Sequence, residues 1–196
     1  MTFAEIGEKW YTNLCKNRLY KNGYDRRCLM FQIGDTVFYS GSGVCRIDSV
    51  TSREFGDSMK DYYVLIPVHA PESAVYLPVD NAKLLSRMRF PLSKDEVMRL
   101  IHTMPKRACS WITDENRRKQ EYQRILREGD QGEIMVTIHS IFVHQKELKN
   151  AGRKLHQCDE RAFRECQRVL NDEFSHVLHI RPDEVADYIE GVLEGA

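Results

Sequence analysis

The sequence predicts an α+β protein in which a small five-stranded β-barrel precedes a bundle of about five helices. From Phe31 to Pro67, short β-branched and aromatic runs alternate with glycine turns, a pattern typical of antiparallel strands. From Ser93 onward, apolar residues recur at helical spacing behind N-cap signals. The periodicity changes at Pro91-Leu92-Ser93, so we predict a barrel domain over residues 30–91 and a helical domain over residues 92–196.

Runs of apolar or alternating residues bounded by turns predict five strands, at 36–39, 44–50, 61–68, 75–79 and 84–90. Gly41-Ser42-Gly43 permits the positive φ of a tight reversal between the first two strands. The third strand, Asp61–Val68, is almost entirely apolar, which indicates a central position. Pro78 cannot donate to a strand ladder, so we place the fourth strand at an edge or a bulge.

Five helices are predicted, at 93–104, 114–129, 131–151, 159–179 and from 182 onward. Ser93 and Glu96 form a capping box at the first of them. Gly129 is predicted to end the second helix, and Asp130 to cap the third. The third helix is apolar on more than one side, so we expect it at the centre of the bundle.

The formal net charge is zero, with 29 basic and 29 acidic residues. From Val97 to Arg127, however, eight basic residues face three acidic ones, a local charge of +5. Such a stretch can hold phosphate without making the whole surface basic. We find no apolar run long enough to cross a bilayer and no leader-like apolar segment, and therefore expect a cytoplasmic protein; the family resemblance described below further implies association with the nucleoid. The cysteines are scattered without a C-x-x-C pair, which indicates reduced structural thiols: Cys15, Cys28, Cys45, Cys109, Cys158 and Cys166.

Residues 1–29 stand apart from the rest of the chain, because no apolar stripe continues from the short helical pattern Glu5–Leu14. One hypothesis is that Met30 is the natural start and the preceding residues are a non-native or disordered extension. The other is that they form an accessory segment packed on the barrel. Sequencing the N-terminus of the native protein separates the two.

Three runs carry a family resemblance: F-x-I-G-D-T-V-x-Y-x-G-x-G-V at 31–44, D-Y-Y-V-L at 61–65 and L-P-V-D-N at 77–81. They resemble the CarD/CdnL family of bacterial transcription regulators. The resemblance continues through Gly129-Asp130 and Asp159-Glu160-Arg161, and so covers about residues 30–190. It implies an SH3-like or Tudor-like barrel that is the RNA-polymerase-interacting domain shared with the transcription-repair coupling factor.

The resemblance also implies sites. In the family, the barrel docks on the lobe of the polymerase β subunit through strand contacts and basic side chains. Arg53 matches one of those basic positions, and Tyr76 stands where the family has arginine. The family's helical domain contacts promoter DNA at the upstream edge of the melted region, where a tryptophan wedges into the minor groove. The residues implied for DNA contact here are Trp111, Arg117, Arg118 and Lys119.

This chain departs from the family pattern at the wedge. Counted back without gaps from Gly129-Asp130, Arg117 and Arg118 match the family's paired arginines, but the wedge tryptophan falls at Glu115. Trp111 lies four residues upstream, so it either reaches the wedge position by one helical turn or packs between helices. The arginines either neutralise phosphates or form a solvated helix face.

We therefore predict a monomeric, non-enzymatic regulator that stabilises the open promoter complex, with no cofactor, no metal and no membrane partner. The alternative is an adaptor that binds RNA polymerase and recruits another protein rather than DNA. A thiol or metal enzyme is a third class. Against it, the pairs His139/His144 and His176/His179 have no companion that completes a metal or triad pattern, and Cys109 has no clear base partner.

Overall fold

The computed structural model describes residues 31–55, 58–104 and 111–194. The two hypotheses about residues 1–29 and the question of Cys109 reactivity lie outside the described residues. So do the basic residues Lys106 and Arg107. Within the described helices, none is long and apolar enough to cross a membrane.

Five antiparallel strands form one sheet: β1 Thr36–Tyr39, β2 Gly43–Phe55, β3 Ser58–Pro67, β4 Val75–Pro78 and β5 Met88–Arg89. Their order is β4-β3-β2-β1-β5, so β3 is internal and Pro78 lies on an edge strand, as predicted. The predicted α+β class and the five strands are confirmed. The sheet is open, because no pairing joins β4 to β5 within the described segments, and closure into a barrel is not observed.

The predicted closing strand over 84–90 was mostly wrong. Ala82–Leu85 instead forms a single helical turn, α1, because the side chain of Asn81 accepts a hydrogen bond from the Leu84 N–H and starts a helix there. Only Met88 and Arg89 pair with β1. Strand β2 is longer than predicted and carries an irregularity between Ile47 and Ser49.

Six α-helices occur in the described part of the chain, and five of them follow the sheet. Beyond α1, they are α2 Lys94–Thr103, α3 Glu115–Glu128, α4 Gln131–Asn150, α5 Gln157–Leu178 and α6 Val185–Glu194. A short 3₁₀ turn, Pro182–Glu184, leads into α6. The five helices after the sheet agree with the predicted bundle.

Local capping explains why these helix ends could be predicted. Ser93 and Glu96 make both bonds of the capping box. The side chain of Asp130 accepts from the Glu133 N–H at the start of α4, 2.8 Å away. Gly129 ends α3 at a φ of +71°, the left-handed conformation that favours glycine. Two helices differ at their start. His156 caps α5, which begins at Gln157, and α6 begins at Val185, after the 3₁₀ turn that Pro182 opens.

The sheet and the helices share a core. One sheet face packs around Ile47, Tyr63, Leu65 and Leu77. From the other face, Phe38 and Val44 enter the helical cluster that includes Phe174 of α5, and all three are essentially fully buried. The sheet and the helices therefore pack on one another, with β1 and β2 lying against α5.

A buried carboxylate joins the same two parts. Glu173 of α5 is 0 % exposed and accepts two hydrogen bonds from the Arg89 guanidinium of β5, at 2.6 and 2.7 Å. It also accepts from the Leu92 N–H, 2.8 Å away, and from the Gln131 side-chain amide, 2.7 Å away. We define these four residues as the Glu173 junction. Because its donors come from the sheet, the linker and α4, the junction fixes the sheet against the bundle.

Gly129 lies at this boundary and gives a first prediction. A Cβ at Gly129 would lie 2.9 Å from Phe38 and 3.0 Å from the Cβ of Ser40, whereas one at Gly152 would have no neighbour within 4 Å. Both glycines have similar positive φ, +71° and +68°. We expect Gly152→Ala to cost about 1–2 kcal/mol of unfolding free energy for the backbone conformation alone. Gly129→Ala should cost a further ~1–3 kcal/mol for overpacking.

Urea unfolding of the two variants measures the difference. Equal losses in both variants would mean that the contact between α3 and β1 can relax, and would contradict the packing described here.

Candidate functional site

The two residues expected to contact polymerase lie together on the sheet. The Arg53 guanidinium stacks on the Tyr76 ring, with 3.8 Å between its carbon and the ring centroid. Arg53 comes from the far half of β2, and Tyr76 from edge strand β4. Both side chains are exposed. The stacked cation–π pair therefore presents a flat, partly apolar surface that a partner protein can contact.

Edge strand β4 adds backbone groups to this surface. It pairs with β3 on one side, as in Tyr76 opposite Val64, and its other side has no strand within the described chain. An unpaired edge can add a strand from another protein. We call the Arg53–Tyr76 pair and the free side of β4 the edge surface.

Trp111 lies at the approach to α3 and is only partly exposed. Its ring stacks on the His144 imidazole of α4, with centroids 3.7 Å apart and planes 22° apart. The Arg118 guanidinium lies 4.6 Å from the ring centroid. Trp111 also packs against the small cluster of Tyr122, Ile141 and Ala162. Of the two predicted roles, these contacts favour packing between helices.

Arg118 does not present its charge to solvent. It is 7 % exposed, and its guanidinium donates to both carboxylate oxygens of Asp159 in α5, at 2.7 and 3.0 Å. It also donates to the Ile112 carbonyl, at 2.8 Å. Burial raises the pKa of Asp159, but the hydrogen bonds and charge of Arg118 outweigh burial and leave that pKa below its ordinary value. Arg118 therefore ties α3 to α5 and to the segment that carries Trp111.

The rest of the basic stretch is less free than its +5 charge suggests. Arg124 binds carboxylates on three sides, from Glu121, Glu128 and Glu133. The Lys119 ammonium pairs with Glu115 one turn earlier. Arg117 is exposed and makes no salt bridge within the part of the chain that the structure describes. At the start of α3, the basic side chains that remain open to solvent are Arg117 and the half-exposed Lys119.

One exposed surface was missed in the sequence. Phe142 is 43 % exposed and Val143 39 %, both on α4, and the Lys146 ammonium lies 5.0 Å from the Phe142 ring centroid. Because α4 is apolar on more than one side, its periodicity could not show which side is left open. We call these three residues the α4 surface.

Comparison with known protein families gives a match to the part of the chain that forms the sheet. Residues 31–89 match the family model of the CarD-like/TRCF RID domain. The chain carries a CarD-like/TRCF RID domain. RID denotes the RNA-polymerase-interacting domain that CarD-like proteins share with the transcription-repair coupling factor, and the match supports an RNA-polymerase-interacting role. A search of curated proteins gives no significant match to the chain.

The matched range coincides with the five-stranded sheet. The RID domain contains all five strands and ends at Arg89, the residue that binds Glu173. Its edge surface faces outward, while Phe38 and Val44 on the RID domain are covered by helices. The helices from Lys94 onward lie outside the match, so their role rests on their own geometry.

Proposed function

We propose that the protein is a CarD-like transcription regulator. Its RID domain, with residues 30–91, binds the lobe of the RNA polymerase β subunit. Its helical part, residues 92–196, contacts promoter DNA near the upstream edge of the bubble and so stabilises the open complex. The observation that carries the proposal is the RID match over residues 31–89, together with an exposed edge strand bearing Arg53 and Tyr76.

For polymerase, the edge surface offers two kinds of contact. The free side of β4 can pair with a strand of the β subunit and supply backbone hydrogen bonds. The Arg53–Tyr76 pair adds an aromatic ring and a guanidinium, two groups enriched at protein interfaces. Tyrosine in place of the family's arginine therefore removes one polar contact and keeps the docking mode.

For DNA, the start of α3 offers a small basic surface. Arg117 and Lys119 are the groups placed to meet phosphates, while Arg118 holds the helix in position through Asp159. Trp111 is presented between Arg118 and His144 and can touch DNA only with its exposed part. So few contacts predict weak, salt-sensitive binding by the protein alone. Polymerase bound to the edge surface supplies the local concentration.

Linkage gives the energetics. A protein that binds the open complex better than the closed one shifts the equilibrium by its differential affinity. Couplings of this kind are about 1–3 kcal/mol, or about 5- to 150-fold in the equilibrium constant.

The test is the lifetime of the open complex formed by cognate polymerase on a promoter, with and without the purified protein. We expect the wild type to lengthen it. Arg117→Glu should lose about 1 kcal/mol of this effect, a roughly fivefold shorter lifetime. Arg164→Glu makes the same charge change at an exposed position of α5 and serves as the matched control.

A second variant separates DNA contact from polymerase contact. Tyr76→Ala removes one half of the Arg53–Tyr76 pair and is expected to weaken binding to polymerase, with DNA affinity unchanged.

An open-complex lifetime that responds equally to Arg117→Glu and Arg164→Glu would contradict a specific DNA role for α3.

The α4 surface favours a second candidate, an adaptor that binds polymerase and recruits another protein. Exposed Phe142 and Val143 beside Lys146 form an apolar patch with a basic rim, as in protein interfaces. Under this function, Arg117→Glu leaves the open complex unchanged. Phe142→Ser would abolish recruitment while polymerase binding through Tyr76 persists.

A further inference from the structure

Three potential metal ligands meet where the first turns of α3 and α5 come together. Glu115 is the first residue of α3, His156 is the N-cap of α5 and Cys158 is its second residue. The His156 imidazole lies between the other two. Its Nδ1 is 3.0 Å from the Cys158 sulfur, and its Nε2 is 3.8 Å from a Glu115 carboxylate oxygen.

The donor set fits a zinc-class ion. One imidazole nitrogen, one cysteine sulfur and one carboxylate oxygen lie within 4.8 Å of one another. Around a tetrahedral zinc ion, ligand atoms stand about 3.3–3.8 Å apart, as bond lengths of about 2.0–2.3 Å require. Glu115 and His156 are about half exposed, so small side-chain rotations close the remaining distance. Mg²⁺ and Ca²⁺ prefer oxygen ligands only and do not suit this set.

We propose that Glu115, His156 and Cys158 form a binding site for a single Zn²⁺ ion, with the fourth tetrahedral position open to water or to an outside ligand. Sequence spacing predicted no metal site, because Glu115 lies on a different helix from His156 and Cys158 and no motif joins the three. The structure brings them together through tertiary packing.

The frame behind the three ligands is rigid. Asp159 follows Cys158 directly, and its carboxylate is bound by Arg118 of α3 and by the Tyr122 hydroxyl. This buried pair fixes the start of α5 against α3. The ligand-bearing backbone is thereby held in place before any ion binds, as a metal site requires.

Metal binding has a consequence that rests on the proposed function. Glu115 now pairs with Lys119. Lys119 pairs with Oε1, whereas Oε2 is the oxygen that faces His156. Zinc on Oε2 would neutralise much of the carboxylate charge, weaken its attraction for Lys119 and so make Lys119 more available to a DNA phosphate. The bound ion would thus strengthen DNA contact at the start of α3.

The test begins with metal alone, on the full chain reduced with a phosphine and freed of metal. Titration of Zn²⁺ against a chromophoric chelator should show one ion per chain. Cys158→Ser, His156→Gln and Glu115→Gln should each weaken binding by at least about tenfold, since even outer-shell changes cost that much. Cys15→Ser removes a different cysteine and is the matched control. With Co²⁺ as the probe, a thiolate-to-metal absorption band should disappear in Cys158→Ser and persist in Cys15→Ser.

Two results would overturn the site: no stoichiometric zinc, or equal binding by wild type and Cys158→Ser. Circular dichroism and urea unfolding confirm that each variant is folded. The link to DNA is tested separately, by DNA affinity with and without Zn²⁺. Zinc binding with unchanged DNA affinity would overturn the link only. If Zn²⁺ raises the DNA affinity of the wild type but not that of Lys119→Gln, the link between zinc and DNA contact is supported.

Discussion

Glu173→Ala is expected to destabilise the protein by about 3–5 kcal/mol, the cost typical of removing one partner of a buried ion pair. The carboxylate is fully buried and satisfies the Arg89 guanidinium, the Leu92 N–H and the Gln131 amide. Alanine leaves all of these donors without their acceptor and opens a cavity among them. Arg89 is one-third exposed and keeps the Phe90 carbonyl as an acceptor, so most of the loss comes from the unsatisfied Leu92 N–H and Gln131 amide and from the cavity.

Urea unfolding gives the free energy, with Glu165→Ala as the matched control on the same helix. Glu165 pairs with Arg168 at the surface, where both side chains are about half exposed, and its removal should cost less than about 1 kcal/mol. Glu173→Gln keeps one acceptor oxygen and should fall between the two. A loss below about 1 kcal/mol for Glu173→Ala would mean that the Glu173 junction adds little to stability.

Arg118→Met is expected to cost a similar amount, about 3–5 kcal/mol, because it leaves the Asp159 carboxylate buried without a cation. Asp159 is 1 % exposed and receives both arms of the guanidinium. Methionine approximates the volume of the arginine stem, so the loss reports mainly on the charge. Arg117→Met, one residue earlier and exposed, should change stability by less than about 0.5 kcal/mol.

A double variant separates two effects: the loss of the attraction between Arg118 and Asp159, and the cost of leaving one buried charge without a partner. Arg118→Met with Asp159→Leu removes both charges, and apolar replacement of a whole buried pair is often neutral or stabilising. We expect it to recover much of the loss, less the hydrogen bond that the Tyr122 hydroxyl makes to Asp159. If the double variant is as unstable as the two single losses added together, the pair is not coupled and the interpretation fails.

This expectation bears on how DNA contact is tested. Reversing the charges of Arg117 and Arg118 together would unfold part of the bundle and reduce promoter binding for a trivial reason. Arg117 alone keeps the experiment interpretable, because its side chain is exposed and its neighbour's ion pair is left intact.

How far the sequence could predict this structure depends on the range of the interactions. Helix ends were predictable because each cap lies within three residues of its partner, as at Ser93 and Glu96 or Asp130 and Glu133. The edge position of β4 followed from Pro78, a property of one residue. By contrast, α1 replaced a predicted strand because the Asn81 cap outweighed the apolar run behind it.

The candidate site was harder to predict, since its contacts span long stretches of chain. Arg118 and Asp159 are 41 residues apart, and no local pattern shows that an arginine in a basic run has a buried partner. Lys119 and Arg124 differ in this respect, because their acidic partners lie three or four residues away and could have been counted. The proposed zinc site combines both cases, because His156 and Cys158 are two residues apart in sequence and Glu115 is distant from both.

The shared core of sheet and helices gives the molecule a fixed length. Phe38 and Val44 lie inside the helical cluster, and Arg89 is bound to Glu173, so the edge surface and the start of α3 cannot swing independently. Under the proposed function, docking on polymerase through the edge surface would hold the start of α3 at a fixed distance from that contact. We would then expect promoters whose melted region begins at a different distance to gain no open-complex stability from the protein.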